Sequence, residues 1–449
     1  MKILKIKSTW FADSDLRLDA EYHLSEGVIA KSQMKKSPYP LSTLGAECRR
    51  LFSGNIFKRT YVSNQEFGYP YLTGSDMVKS NIDSGKFLSK KHTEKVDNLR
   101  IHKDWILISC SGTLGNTVFT NDDFEGRIGT HDLIRAIPNE NNTQKGFLYA
   151  YLSSKFGYAL LTQSSYGGVV KHIEPHHIKD LPIPLFPKEK QTAIHDLIVA
   201  AAELRVAANE LLRGAQEIIM LEVGIKEKIN SNKISIREIV GSHQQRFESQ
   251  YFISEGHHIK EQIKKQPFEY LKDITESIFR PGIFKRHYVA HGVEFLGGSD
   301  IVKAIPQSEK KLSIHRTQHL NSLLVKEDWI LVTCGGTIGY SVLVDRFLAE
   351  KAASQHILRV ISKNIQTGYL FAFLSSPLGL KAIQSFTYGS VIPQIEPHHL
   401  GLLPIPILEN TIMDKVHDMI MQYKNNTAEA IEKEQTAITL IEQTIDAWQ

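Results

Sequence analysis

Asp104-Trp105-Ile106-Leu107-Ile108-Ser109-Cys110-Ser111-Gly112-Thr113-Leu114-Gly115 returns as Asp328-Trp329-Ile330-Leu331-Val332-Thr333-Cys334-Gly335-Gly336-Thr337-Ile338-Gly339, 224 residues further along. Working outward, the same doubling holds on both sides. Arg17-Leu18-Asp19-Ala20-Glu21-Tyr22 answers to Arg246-Phe247-Glu248-Ser249-Gln250-Tyr251, and Ile56-Phe57-Lys58-Arg59 to Ile283-Phe284-Lys285-Arg286. Downstream, Leu152-Ser153-Ser154, Ile173-Glu174-Pro175-His176-His177 and Leu181-Pro182-Ile183-Pro184 return as Leu374-Ser375-Ser376, Ile395-Glu396-Pro397-His398-His399 and Leu403-Pro404-Ile405-Pro406. Solenoid units run about 20 to 50 residues, so a period above roughly 200 is a duplicated domain.

The rest of the composition bounds the class. A chain of 449 residues, 42% hydrophobic and 23% charged, is ordinary globular material. No apolar run approaches the ~20 residues of a membrane helix. Met1-Lys2-Ile3-Leu4-Lys5-Ile6-Lys7 interleaves charge with apolar residues, unlike a secretory signal, so a cytoplasmic location is expected. Three cysteines, Cys48, Cys110 and Cys334, have no zinc spacing and are expected to be reduced thiols. A net charge of +4 permits nucleic-acid binding through local patches without demanding it.

Each copy has two parts. The first mixes short β-type runs with glycine-rich turns and a helical stretch near Phe147 to Leu161, which predicts an α+β domain. After Leu181-Pro182-Ile183-Pro184 comes a long helix with apolar residues at 3,4 spacing: Ile194, Leu197, Ala201, Leu204, Ala208, Leu211, Ala215 and Ile218. Its counterpart runs from about Thr411 to Trp448, with Val416, Ile420, Tyr423, Thr427, Ala430, Ala437 and Ile441 on its stripe. Each is the obvious partner of the other, and some 38 helical residues make a rod ~57 Å long.

Taken in order and doubled, these motifs resemble the specificity subunits of type I restriction-modification enzymes across nearly the whole chain. The resemblance implies two target-recognition domains, each reading one half of a split DNA sequence, and two helices that pair as an antiparallel coiled coil and set the spacing. It also implies docked methyltransferase subunits, with S-adenosylmethionine held by that partner, and in restriction complexes a translocating nuclease. One departure stands out: Leu408-Glu409-Asn410-Thr411 replaces Pro187-Lys188-Glu189-Lys190-Gln191 at the start of the second helix, so the two helices need not contact partners alike. A pseudo-two-fold reader engages half-sites about one helical turn apart, and because the copies differ the target should be asymmetric.

Several motifs offer chemistry beside a plainer role. Lys58-Arg59 and Lys285-Arg286 lie in glycine-flanked loops, where such a pair reaches phosphate or, through arginine, guanine O6 and N7; the plainer role is a solvated surface pair. The glycine loops around Thr113 and Thr337 either hold a phosphate on backbone N–H groups or are tight turns needing positive φ. Tyr166 with Lys171, and Tyr388 with Gln394, mark a loop where the copies diverge, as a change of sequence preference or neutral drift would make them. The repeated Glu-Pro-His-His cluster suggests a metal, but adjacent histidines on a helix point about 100° apart, so a capping or packing role is expected. Gly129-Thr130-His131-Asp132 reads as a buried or base-contacting polar loop rather than a hydrolytic His-Asp site, since the other copy has Ala353-Ser354-Gln355-His356 without an equivalent of the aspartate.

No amino-methyltransferase Asn/Asp-Pro-Pro-Tyr/Phe tetrapeptide, methyl-donor glycine loop or Gly-Lys-Ser/Thr phosphate loop is present. The expectation is a non-catalytic DNA-recognition subunit without metal or cofactor of its own. Its domains are 1–187 and 233–407, with spacer helices 188–232 and 408–449; Leu197, Leu204, Leu211, Ile218, Ile420, Tyr423 and Ile441 would offer an apolar groove to methyltransferase helices. The alternatives are a metal-dependent nuclease built on the His/Glu clusters, or a DNA-binding scaffold of a different phage-defence system.

Overall fold

The computed structural model describes residues 20–163, 165, 171–225, 235–241, 249–389 and 391–449. They fall into two compact units, Met1–Val206 with Glu429–Gln449 and Ala207–Ala428, and each long helix gives one part of its length to each unit.

In the first unit the repeated apolar run is the strand Ile106–Ser109, third in an antiparallel sheet ordered Cys48–Ser53, Leu133–Pro138, Ile106–Ser109, Thr117–Phe119. All four of its residues are buried because both faces are covered. Ile106 and Ile108 join the core formed with the helices, while Leu107 faces Leu72, Met77, Ile101 and Leu133 on the opposite side. Asp104, just before the strand, sits at φ 68°, a left-handed conformation that aspartate tolerates, and Asp328 repeats it at φ 66°. A second sheet, ordered Tyr61–Val62, Phe87–Ser89, Gly68–Leu72, Ile128–Gly129, ends in a parallel pair.

The second unit repeats this plan strand for strand. Thr275–Phe279, Ile357–Ser362, Ile330–Thr333 and Ser341–Leu343 make one sheet; Tyr288–Val289, Lys311–Leu312, Val293–Leu296 and Ala352–Ala353 make the other. In both units the Pro-Ile-Pro step is itself a strand, Pro182–Pro184 on Leu41–Thr43 and Pro404–Pro406 on Phe268–Tyr270. Two-stranded ladders have free edges, so the missing proline N–H groups cost no sheet bond there, while Ile183 and Ile405 between them are fully buried.

The helical stretch expected near Phe147 to Leu161 is two helices, Lys145–Ser153 and Lys155–Gln163. Ser154 breaks it: its Oγ accepts the Gly157 N–H at 3.2 Å and donates to the Tyr151 carbonyl at 2.6 Å. Ser376 caps its helix in the same way through Gly379. The Leu-Ser-Ser motif therefore encodes a bend. Phe147, Leu148, Tyr151 and Leu152 are fully buried, and each such side chain stabilises the unit by about 1.5–3 kcal/mol.

The long helices, Lys188–Val223 and Asn410–Asp446, run antiparallel as a pair. In the first unit Ile194, Ile198 and Ala202 share a core with Ala437, Ile441 and Ile445, and Arg205 pairs with Glu434. In the second unit Leu212, Ala215 and Ile219 share a core with Val416 and Ile420. The seam is turned from the expected one. Ile198, Arg205, Leu212 and Ile219 alternate with Ile194, Ala201, Ala208 and Ala215, so Leu197, Leu204, Leu211 and Ile218 fall on a half-buried flank. Two adjacent columns satisfy a 3,4 pattern on a 3.6-residue helix, and packing against the sheet domains chooses between them. Among the described residues no helix is long and apolar enough to cross a membrane.

Candidate nucleic-acid interface

Residues from four distant stretches converge at one end of the central sheet of the first unit. The loop 54–60 leaves strand Cys48–Ser53 with Phe57 turned inward, edge-on to Tyr71 at 6.3 Å between ring centroids, while Lys58 and Arg59 stay exposed. Arg59 Nη2 donates to Thr130 Oγ1 at 3.2 Å and reaches Asp132 Oδ2 at 3.5 Å. The Cys110 N–H donates to the Asp132 carbonyl at 3.2 Å, the Ile173 N–H to the Cys110 carbonyl at 3.1 Å, and Ser111 bridges to His172. Exposed Thr113 and half-buried Lys171 are sequence neighbours of this bridge, which Asp132 joins to Arg59. Tyr166 lies outside the described residues.

The second unit assembles the equivalent cluster with different polar partners. Arg286 Nη2 donates to Gln355 Oε1 at 3.2 Å and its guanidinium lies 5.5 Å from the Phe295 ring, with Lys285 exposed beside it. The Cys334 N–H donates to the His356 carbonyl at 2.9 Å, and Gln394 bridges both Gly335 and Tyr388 through its backbone. Exposed Thr337 lies in the same glycine loop. Tyr388 and Arg280 both donate to Glu396 Oε1 at 2.7 Å, and hydrogen bonding to that carboxylate, with a smaller part from burial, pushes the Tyr388 phenol above its ordinary pKa. Ser53 stands where this copy has Arg280. The two clusters are built on one frame and differ in charge.

The glycine loops are tight turns. Gly112 and Gly115 take φ 74° and 79°, and Gly336 and Gly339 take 76° and 92°, so their glycines answer a backbone requirement. The Glu-Pro-His-His clusters are helix caps: His177 Nδ1 accepts the Glu174 N–H at 3.0 Å, and His399 Nδ1 accepts the Glu396 N–H at 3.3 Å. Among the described residues no group of three His, Cys, Asp or Glu side chains is placed to hold a metal ion.

Sequence reasoning missed the residue beneath each cluster. Arg135 and Arg359, fully buried in the central sheets, donate mainly to backbone carbonyls. Arg135 reaches Leu99 and Leu133 at 2.9 Å and Gly129 at 3.1 Å; Arg359 reaches Ala353 and Ile357 at 2.6 Å, Ser354 at 2.9 Å and Leu323 at 3.1 Å. Burial pulls both guanidinium groups down to about 10, which leaves them charged at neutral pH. They tie the polar loop 129–132, and its counterpart 353–356, to the sheet. The signal was present as one arginine inside each apolar strand, Leu133-Ile134-Arg135-Ala136 and Ile357-Leu358-Arg359-Val360.

The expected partner groove needs a correction. Ile420 and Ile441 are fully buried within their own units and present no surface, whereas Leu197, Leu204, Leu211, Ile218 and Tyr423 are half-buried. Tyr423 also stacks on Phe371, 5.9 Å between centroids and 17° between planes.

The family profile described as "Type I restriction modification DNA specificity domain" matches residues 50–201 and 253–440. Among solved structures, a type I restriction-modification S subunit from M. genitalium is similar at 14% identity, over 91% of this chain and 95% of that one, with a TM-score of 0.30. The HsdS subunit from Thermoanaerobacter tengcongensis is similar at 13% identity, over 92% of this chain and 97% of that one, with a TM-score of 0.31. No curated protein matches the sequence.

Proposed function

The chain belongs to the type I restriction modification DNA specificity domain family, and on that footing we propose that its two sheet-end clusters read the two halves of a bipartite, asymmetric DNA target. The observation that carries this reading is the doubled cluster itself: a Lys-Arg pair, a glycine turn and a diverging loop meet on one frame twice, with unlike polar partners. Exposed Lys58 and Lys285 suit phosphate, while Arg59 and Arg286, held by side-chain oxygens, suit a guanine edge. Thr113, Lys171, Thr337, Tyr388 and Gln394 complete the surfaces, with Tyr166 assigned to the first by its position in the repeat.

In this reading the chain carries no catalytic residue. The paired long helices serve as the spacer, and the flank of Leu197, Leu204, Leu211, Ile218 and Tyr423 receives methyltransferase subunits, which hold S-adenosylmethionine. A restriction translocase would join the same assembly. The test is long-read methylation mapping of the source genome with and without this gene. Loss of one split, asymmetric motif supports the reading; an unchanged methylome overturns it. Exchanging residues 17–187 for those of another family member should alter one half of the motif only.

A further inference from the structure

We infer that Ile56 and Ile283 are apolar wedges, each inserted between neighbouring base pairs of the half-site that its unit reads. The inference rests on the DNA-reading function proposed above. Ile56 is 83% exposed and Ile283 is 94% exposed, and the two occupy the same position of the repeat. Single exposed apolar residues on a protein surface need no explanation. A matched pair is different: exposed Ile29 answers to His258, whereas Ile56 and Ile283 are kept within one identical Ile-Phe-Lys-Arg run.

The loops also hold these side chains outward. Phe57 and Phe284, next in sequence, are turned inward, edge-on to Tyr71 and Phe295 at 6.3 and 5.9 Å between centroids. Two residues further on, Arg59 and Arg286 are tied to Thr130 and Gln355. On the other side of Ile56, Gly54 is packed so closely that a Cβ there would stand 2.8 Å from Leu99 Cδ2. Ile56 is therefore the projecting point of a loop fixed on both sides, and Ile283 projects between buried Pro281 and the anchored Phe284 and Arg286; a lysine suited to phosphate lies two residues beyond each. A side chain exposed on nearly all sides is covered best by entering a base step, where it meets a ring face above and below; proteins that kink DNA use isoleucine in this way beside basic residues.

The test uses the chain assembled with its methyltransferase partner and duplexes selected by that complex from a randomised pool, each then carrying 2-aminopurine at one position. Wild type should raise the fluorescence at one step in each half-site, reporting unstacking. Ile56→Ala should abolish the rise in one half-site only and weaken binding by roughly ten- to a hundredfold. Ile283→Ala should do the same in the other half-site. Neither change should alter the salt slope, since no phosphate contact is removed. Specific binding by wild type without any fluorescence rise, or a rise and affinity kept by both variants, overturns the wedge and leaves DNA reading standing. Failure of the wild-type complex to select any sequence overturns both.

Discussion

Arg205 and Glu434 meet at 2.5 Å on the seam of the long helices, at positions where a heptad pattern calls for apolar side chains. Glu434 is nearly buried and also accepts a hydrogen bond from the Tyr149 hydroxyl, so the pair joins both helices to the helix Lys145–Ser153. A buried ion pair adds little net stability over apolar residues of like volume, but removing one partner strands the other. It does exclude seam registers that would leave Glu434 without a cation.

Arg205→Ala should therefore cost roughly 2–4 kcal/mol, less than for a wholly enclosed pair because Arg205 keeps some contact with water. The double change Arg205→Met with Glu434→Leu should recover most of that loss. Denaturant midpoints of the three proteins check this; a single variant as stable as wild type would remove the pair from the account of register.

A second prediction concerns acid. The Gly146 N–H donates to His195 Nδ1 at 3.2 Å, and Gly368 repeats the contact with His417 at 3.1 Å, so each long helix is pinned to a sheet domain by a histidine that accepts. Burial lowers the pKa of His195 below 6.5, and of His257 likewise. The unfolded chain then binds more protons than the folded one between the lowered value and 6.5. This stability is complete above about pH 6.5 and is lost as pH falls through the folded value. His195→Asn keeps an acceptor without a titrating ring, so it should flatten part of the slope in denaturation midpoints between about pH 7.5 and about pH 5. An unchanged slope would assign the acid sensitivity elsewhere.

The duplication, the α+β class and the helix pair were legible because each is carried by many residues repeated in order. The convergence of loops 54–60, 110–115, 130–132 and 171–173 was not, since it depends on strand order, with Leu133–Pro138 lying between Cys48–Ser53 and Ile106–Ser109. Periodicity also could not choose between Leu197 and Ile198, because both are apolar and one residue apart. Arg205 held the answer: a charge in an apolar column reads as an interruption until its carboxylate, 229 positions away, is placed beside it. Arg135 hid for a related reason, as its partners are backbone carbonyls that no side-chain pattern records.

That arginine supplies a third prediction. Arg135→Met keeps the apolar stem and removes a buried donor from each of the Leu99, Leu133 and Gly129 carbonyls, of which Leu99 keeps the Gly129 N–H at 2.9 Å. The cost should be roughly 3 kcal/mol or more. Amide exchange should quicken at 129–132, and DNA affinity should fall for one half-site. Arg135→Lys should rescue little, because an ammonium cannot span carbonyls on two sides as the guanidinium fork does. Full protection of those amides in Arg135→Met would deny the arginine its organising role.

The Lys-Arg pairs give the last prediction, and the geometry splits each pair into two roles. Lys58 is exposed at the sheet end, whereas Arg59 is steadied by Thr130 and Asp132. Lys58→Ala should weaken binding to all sequences alike and reduce the salt slope by about 1, the signature of one lost phosphate contact. Arg59→Ala should relax the preference at one guanine by roughly ten- to a hundredfold, and Asp132→Asn should reproduce part of that by loosening the guanidinium. Lys285→Ala and Arg286→Ala should act in the same way on the other half of the target. Titrations of matched and single-substituted duplexes at several salt concentrations separate the two roles. If Lys58→Ala changed sequence preference, or Arg59→Ala changed only the slope, the roles would be exchanged and Arg59 would be a phosphate ligand held in place by Asp132.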